Sequence, residues 1–188
     1  MPAEPIRVRK LTHEQASVEQ LLYWRTTYRG TCSDQASLPD ERQVAILAAL
    51  LHHGVEFVVV GGLAVNAHGY VRESSDMDLF VRTTDENIGA AYDAFRAAEV
   101  LNRIDIVLVG EEPSLRLFPA DEDHVDILPW IGDIGFDQVW RNRVEAKMKG
   151  LTVPFISKAD LIESKRQTGR LRDLADVEEL ERIPDDSL

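Results

Sequence analysis

The sequence predicts an α/β protein built on a small mixed β-sheet flanked by helices, ending in a C-terminal helical segment. Three observations predict it. Short β-branched runs such as Phe57–Val60 alternate with segments of helical period. Glu145–Phe155 has the pattern of a hairpin turning at Gly150, so the sheet is not all parallel. The last thirty residues carry helix starts and breaks but no strand signal. The length of 188 residues fits one domain with a small appendage, divided as an N-terminal helical extension over 1–38, a core over 39–156 and C-terminal helices over 157–188.

In chain order, Leu11–Tyr28 reads as a helix and Gly30–Pro39 as a polar loop. Pro39-Asp40-Glu41 opens a second helix whose apolar run, Val44–Leu51, closes at Gly54. Glu56–Val60 is a buried strand that stops at Gly61-Gly62, and Leu63–His68 makes one or two helical turns. Ser75–Val81 is the next strand. Thr83-x-x-Glu86 has the form of a capping box for a helix to about Glu99. Strands are expected at Ile104–Val109, Leu115–Phe118 and His124–Leu128, and a helix at Gly135–Arg143. Ser157-x-x-Asp160 opens a helix to about Thr168, Gly169 breaks it, and Leu171–Arg182 forms the last one.

Composition narrows the function. With 21 Lys plus Arg against 33 Asp plus Glu the formal charge is −12, which opposes a broad surface for a phosphate backbone, since such binding is driven by cations. The longest nearly apolar run, near Phe57–Val65, is too short to span a bilayer. Met-Pro-Ala-Glu-Pro is not a basic start followed by an apolar stretch, so no signal peptide and a cytoplasmic location are expected. Cys32 is the single cysteine, which excludes an internal disulfide and a multi-Cys zinc site.

The chemistry concentrates between Gly61 and Val81. If the chain is extended from Arg72 onward, Arg72, Ser74, Asp76 and Asp78 share one face, with Met77 and Leu79 turned to a core. Residues two apart on a strand are separated by roughly 6.6 Å, so two carboxylates can converge on one or two metal ions. A bound cation relieves their mutual repulsion, and Mg²⁺ takes oxygen ligands from one or two carboxylates and substrate phosphates. Gly61-Gly62, between a strand and a helical turn, lets backbone N–H groups approach a phosphate. Alone, the aspartate pair fits a solvated strand face equally well.

Strand, Gly-Gly, helix, then Arg-x-Ser-x-Asp-x-Asp resembles the DNA polymerase β-type nucleotidyltransferase superfamily. More closely, it is similar to the bacterial branch that holds abortive-infection and toxin–antitoxin nucleotidyltransferases. Ser74 stands where that branch commonly has threonine and keeps the hydroxyl. The resemblance covers about 56–180. It implies the following roles. Asp76, Asp78 and Asp126 are catalytic and bind metal, two Mg²⁺ ions with Mn²⁺ as a substitute. Gly61, Gly62, Arg72, Ser74 and Lys165 bind the nucleotide. Arg170 and Asp173 are weaker correspondences. Asp121, Asp123 and Asp133 rival Asp126, whose apolar neighbours Val125 and Ile127 favour it.

The implied reaction moves an NMP from an NTP to an acceptor hydroxyl with release of pyrophosphate. The acceptor is left open among tRNA, protein and small molecule, and an antitoxin is a candidate partner. The alternative is a catalytically silent nucleotide-binding or partner-binding module of the same fold, such as a toxin–antitoxin component. A metal-dependent phosphohydrolase would be expected to show a His-Asp cluster of ligand spacing. His52, His53 and His68 read as capping or structural residues, and Trp130 and Trp140 as core or rim. Arg141, Arg143, Lys147 and Lys149 form a modest basic cluster.

Overall fold

A computed structural model describes residues 7–11, 41–74, 76–98, 101–109, 112–119 and 125–184. Its elements are β1 (Arg7–Leu11), α1 (Glu41–His52), β2 (Phe57–Val60), α2 (Gly61–Ala67), β3 (Met77–Val81) and α3 (Asp85–Ala97). They continue with β4 (Leu101–Val109), β5 (Glu112–Pro119), β6 (Val125–Leu128) and α4 (Phe136–Asn142). The chain closes with β7 (Val144–Met148), β8 (Leu151–Phe155), α5 (Lys158–Thr168) and α6 (Leu171–Arg182). The molecule is α/β, as its sequence predicts.

The principal sheet has five strands in the order β6-β3-β2-β8-β7. β2 runs antiparallel to β3 and parallel to β8, β3 is parallel to β6, and β7–β8 is the expected hairpin. Phe57, Val58, Val59 and Val60 are all buried, so both faces of β2 are covered. The core joins these side chains to Ile46, Leu47 and Leu50 of α1 and to Ala91, Ala94 and Phe95 of α3. Phe57, Phe80 and Phe155 are among the largest fully buried side chains, each worth about 1.5–3 kcal/mol relative to exposure.

A second sheet, β1-β4-β5, was not anticipated. β1 pairs parallel with β4 across Arg7↔Asp105 to Leu11↔Val109, and β5 lies beside β6. Leu11 therefore ends a strand rather than opening a helix. The rest of the helix expected over Leu11–Tyr28 lies outside the described residues, as do Asp121, Asp123 and Cys32.

Two local expectations shift. The cap of α3 is Thr84, whose side chain accepts from the Asn87 N–H, one residue later than the Thr83 capping box. β3 begins at Met77, later than the expected start, so Arg72, Ser74 and Asp76 are not part of the ladder. At the other end of the chain, Ser157 caps α5 by accepting from the Asp160 N–H, and Gly169 closes that helix at φ +66°. No helix among the described residues is long and apolar enough to cross a membrane.

Candidate active site

The site forms where β2 ends and β3 begins. Asp78 lies opposite Val60 in the antiparallel pair and opposite Asp126 in the parallel pair. Residues in register across a ladder project to the same face, so Asp78 and Asp126 stand side by side on neighbouring strands. The strand signal at 125–128 could suggest Asp126, but only the pairing of β3 with β6 brings it to Asp78. Of its rivals, Asp133 sits in the loop before α4, where its N–H donates to Gln167 at 2.6 Å.

Gly61 and Gly62 meet this face directly. A Cβ at Gly61, which has φ +63°, would collide with the Asp78 carboxylate. A Cβ at Gly62 would collide with Ser74 and come within 3.3 Å of Arg72 Nη1. Arg72, Ser74 and Asp78 are thus gathered around the glycine turn although Arg72 and Ser74 precede the first residue of β3. The grouping comes from hydrogen bonds instead. The Arg72 N–H donates to Asn66 Oδ1 at 2.9 Å, and Ser74 Oγ donates to the Asp76 carbonyl at 3.3 Å.

Burial, then the charges of Asp126 and Asp76, push the Asp78 carboxyl up to about 8, with Lys165 and the Gly62 N–H partly opposing. Burial and two neighbouring carboxylates all disfavour the ionised form of Asp78, an effect that a bound cation would relieve. The donors are all oxygens, which suits Mg²⁺ or Mn²⁺. In this conformation no group of three or more His, Cys, Asp or Glu among the described residues could hold an ion. The fit is therefore one of donor chemistry and charge, not of a preformed cage.

The two cations of the site belong to a network centred on α6. Arg72 donates from Nε and Nη2 to the two oxygens of Asp176, at 2.6 and 2.8 Å. Lys165 reaches Asp173 at 2.8 Å and Asp176 at 2.7 Å. Burial would raise the Asp176 carboxyl, but Arg72 and Lys165 hold it below the usual range. Asp176 has no role in the reading of the sequence, although it stands three residues beyond Asp173 on one helix face.

Other candidates fall elsewhere. His68 is buried and its Nε2 lies 2.7 Å from the Ile156 carbonyl, a structural contact. His52 and His53 are exposed at the end of α1. Trp140 stacks on Phe136 and carries the Arg143 guanidinium over its ring, and Phe136 packs on Phe80.

The profile of the family described as "Nucleotidyl transferase of unknown function (DUF2204)" matches residues 41–187. That span is most of the chain. The protein belongs to this nucleotidyl transferase family. Solved structures of similar fold agree. The nucleotidyl transferase superposes on the lincosamide antibiotic adenylyltransferase LnuA, bound to lincomycin, with TM-score 0.55 at 20% identity, covering 79% of this chain and 99% of that one. It superposes on the antibiotic-resistance factor ANT(2'')-Ia with TM-score 0.52 at 19% identity, covering 74% of this chain and 80% of that one. No curated protein matches the sequence significantly. The family match gives this nucleotidyl transferase its reaction class, and the solved structures share its fold.

Proposed function

We propose that the protein transfers an NMP from an NTP to an acceptor hydroxyl and releases pyrophosphate. The observation that carries this reading is the register of Asp78 with Asp126 beside the Gly61-Gly62 turn. Asp76, Asp78 and Asp126 supply the oxygen donors for divalent metal. Bound there, such ions supply charge compensation for the triphosphate and for the attacking and leaving oxygens. Asp126 stands to receive the acceptor proton. Gly61, Gly62 and Ser74 border the triphosphate, and Arg72 and Lys165 offset its charge. Catalysis on this plan is positioning and electrostatic stabilisation, with little covalent work for the protein.

The acceptor we favour is a small molecule in the cytoplasm. A net charge of −12 repels tRNA, and the same fold serves a lincosamide antibiotic adenylyltransferase. A protein hydroxyl is the next choice, and an antitoxin partner belongs to that branch of the proposal.

The test is incubation of the purified protein with α-labelled NTPs, Mg²⁺ and cell extract. Label should pass to one acceptor, and Asp76→Ala should abolish the transfer. Absence of any labelled product from wild type, or undiminished labelling by the variant, overturns the proposal.

A second reading, a nucleotide-binding module without turnover, is favoured by one observation: Lys165 is already engaged by two carboxylates. Calorimetry with NTP and Mg²⁺ separates the two, because the module binds nucleotide and labels nothing.

A further inference from the structure

Resting on the nucleotidyl-transfer reading, we propose that Asp176 is a positioning residue of the nucleotide site, holding Arg72 and Lys165 as one fixed pair of cations for the triphosphate.

The carboxylate of Asp176 is fully committed. Oδ1 accepts from Arg72 Nε at 2.6 Å, and Oδ2 accepts from Arg72 Nη2 at 2.8 Å and from Lys165 Nζ at 2.7 Å. Its side chain is 1% exposed, against 16% for Arg72 and 8% for Lys165. The two-pronged geometry fixes the guanidinium plane. The remaining arm, Nη1, donates to the Glu73 carbonyl at 2.9 Å and lies on the Gly62 side of the group. Lys165 has three N–H bonds, and Asp173 and Asp176 take two of them. Its charge also acts on Asp78, opposing the rise of that carboxyl.

A buried and a partly buried cation sharing one carboxylate would repel each other without it. Asp176 removes that repulsion and sets where both charges stand. It also ties the Arg72–Ser74 segment to α6, together with Arg172, whose Nη2 donates to the Glu73 carbonyl at 2.8 Å. Helix α6 thereby becomes part of the nucleotide site while contributing no direct ligand.

A carboxylate on two phosphate-seeking cations can act in either of two opposite ways. If it competes with phosphate, its neutralisation tightens nucleotide binding. If it positions the cations, its neutralisation weakens binding, because the asparagine amide turns a donor toward Arg72 or Lys165 and releases one of them. The burial of Asp176 and Lys165 favours positioning, since truncating one member of an enclosed charge network costs its geometry along with its charge.

The experiment is calorimetric titration of the full chain with ATP, GTP, CTP and UTP, each with Mg²⁺. The proteins are wild type, Asp176→Asn, Lys165→Met and the double variant, with thermal melts to establish folding. Asp176→Asn should weaken the preferred NTP about tenfold or more. The double variant should lose much less than the product of the two single losses, as coupled residues do. Unchanged or tighter binding by folded Asp176→Asn, or losses that multiply, overturns the proposal. If Asp176→Asn does not fold, Asp176→Glu keeps the charge and displaces it by one methylene. It should weaken binding in the same way, and wild-type affinity in that variant overturns the proposal. Failure of wild type to bind any NTP instead overturns the nucleotide-site reading on which the inference rests.

Discussion

At the scale of the residue, Gly61 meets two separate demands. Its φ of +63° is a conformation that side chains adopt at a cost, and the space a Cβ would fill holds the Asp78 carboxylate. Gly61→Ala should therefore destabilise the fold by about 1–3 kcal/mol, read as a lower urea midpoint, and should displace Asp78 and depress NMP transfer. An effect on stability with transfer intact would separate the glycine from the site. The glycine pair and the Asp-x-Asp spacing were legible because they are adjacent in sequence. Asp126 was legible only as a short apolar strand with an acid in it. The partnership of Arg72 with Asp176 spans 104 positions, and no local spacing reports a contact of that range.

At the scale of the element, the strand that carries Asp76 and Asp78 was expected to begin earlier than it does. The β3–β6 ladder covers Met77–Phe80 against Val125–Leu128. Just before it, the Arg72 N–H is taken by Asn66 and the Ser74 hydroxyl by the Asp76 carbonyl, so the segment is organised by side chains from α2 and α6. Alternation along an extended chain expects Arg72 and Ser74 on the face of Asp78, and both lie at the glycine turn beside it although the ladder itself starts only at Met77.

Helix α5, in contrast, was readable at both ends, because a cap and a terminal glycine are local signals. Ser157 Oγ accepts from the Asp160 N–H at 3.2 Å and donates to Asp160 Oδ2 at 2.8 Å. That carboxylate, buried, also accepts from Gln138 and Asn142 of α4. Ser157→Ala should cost about 1–2 kcal/mol, the upper part of the range for a lost cap. The measurement is urea unfolding, with the midpoint lowered and the slope unchanged. A cost near zero would show that Asp160 holds the helix start unaided.

At the scale of the whole molecule, the end of helix α2 is tied to the connection between β8 and α5 through His68, which is buried against the Ile156 carbonyl. Burial lowers its pKa, Lys158 adds to that, and the bond to Ile156 opposes it. The unfolded chain therefore takes up a proton near about pH 6.5 that the folded chain resists. The stability from neutral His68 is present above that pH and is lost as pH falls toward the folded-state value. Thermal midpoints taken between pH 7.5 and 5.5 should fall less steeply for His68→Gln, whose amide can still donate to the carbonyl. The difference between the two curves isolates His68 from other titrating groups. Parallel curves would remove it as a source of acid sensitivity.

The sequence by itself determined the order of nearly all the elements of the five-stranded sheet, the glycine turn and the spacing of Asp76 and Asp78. These are set by periodicity, capping and turn chemistry within a few residues. Only the tertiary structure decided that Asp126 lies in register with Asp78, that Arg7–Leu11 joins β4 in a second sheet, and that Asp176 gathers Arg72 and Lys165. Those choices depend on which distant surfaces pack together and where buried charges find partners, and packing is a property of the folded chain as a whole.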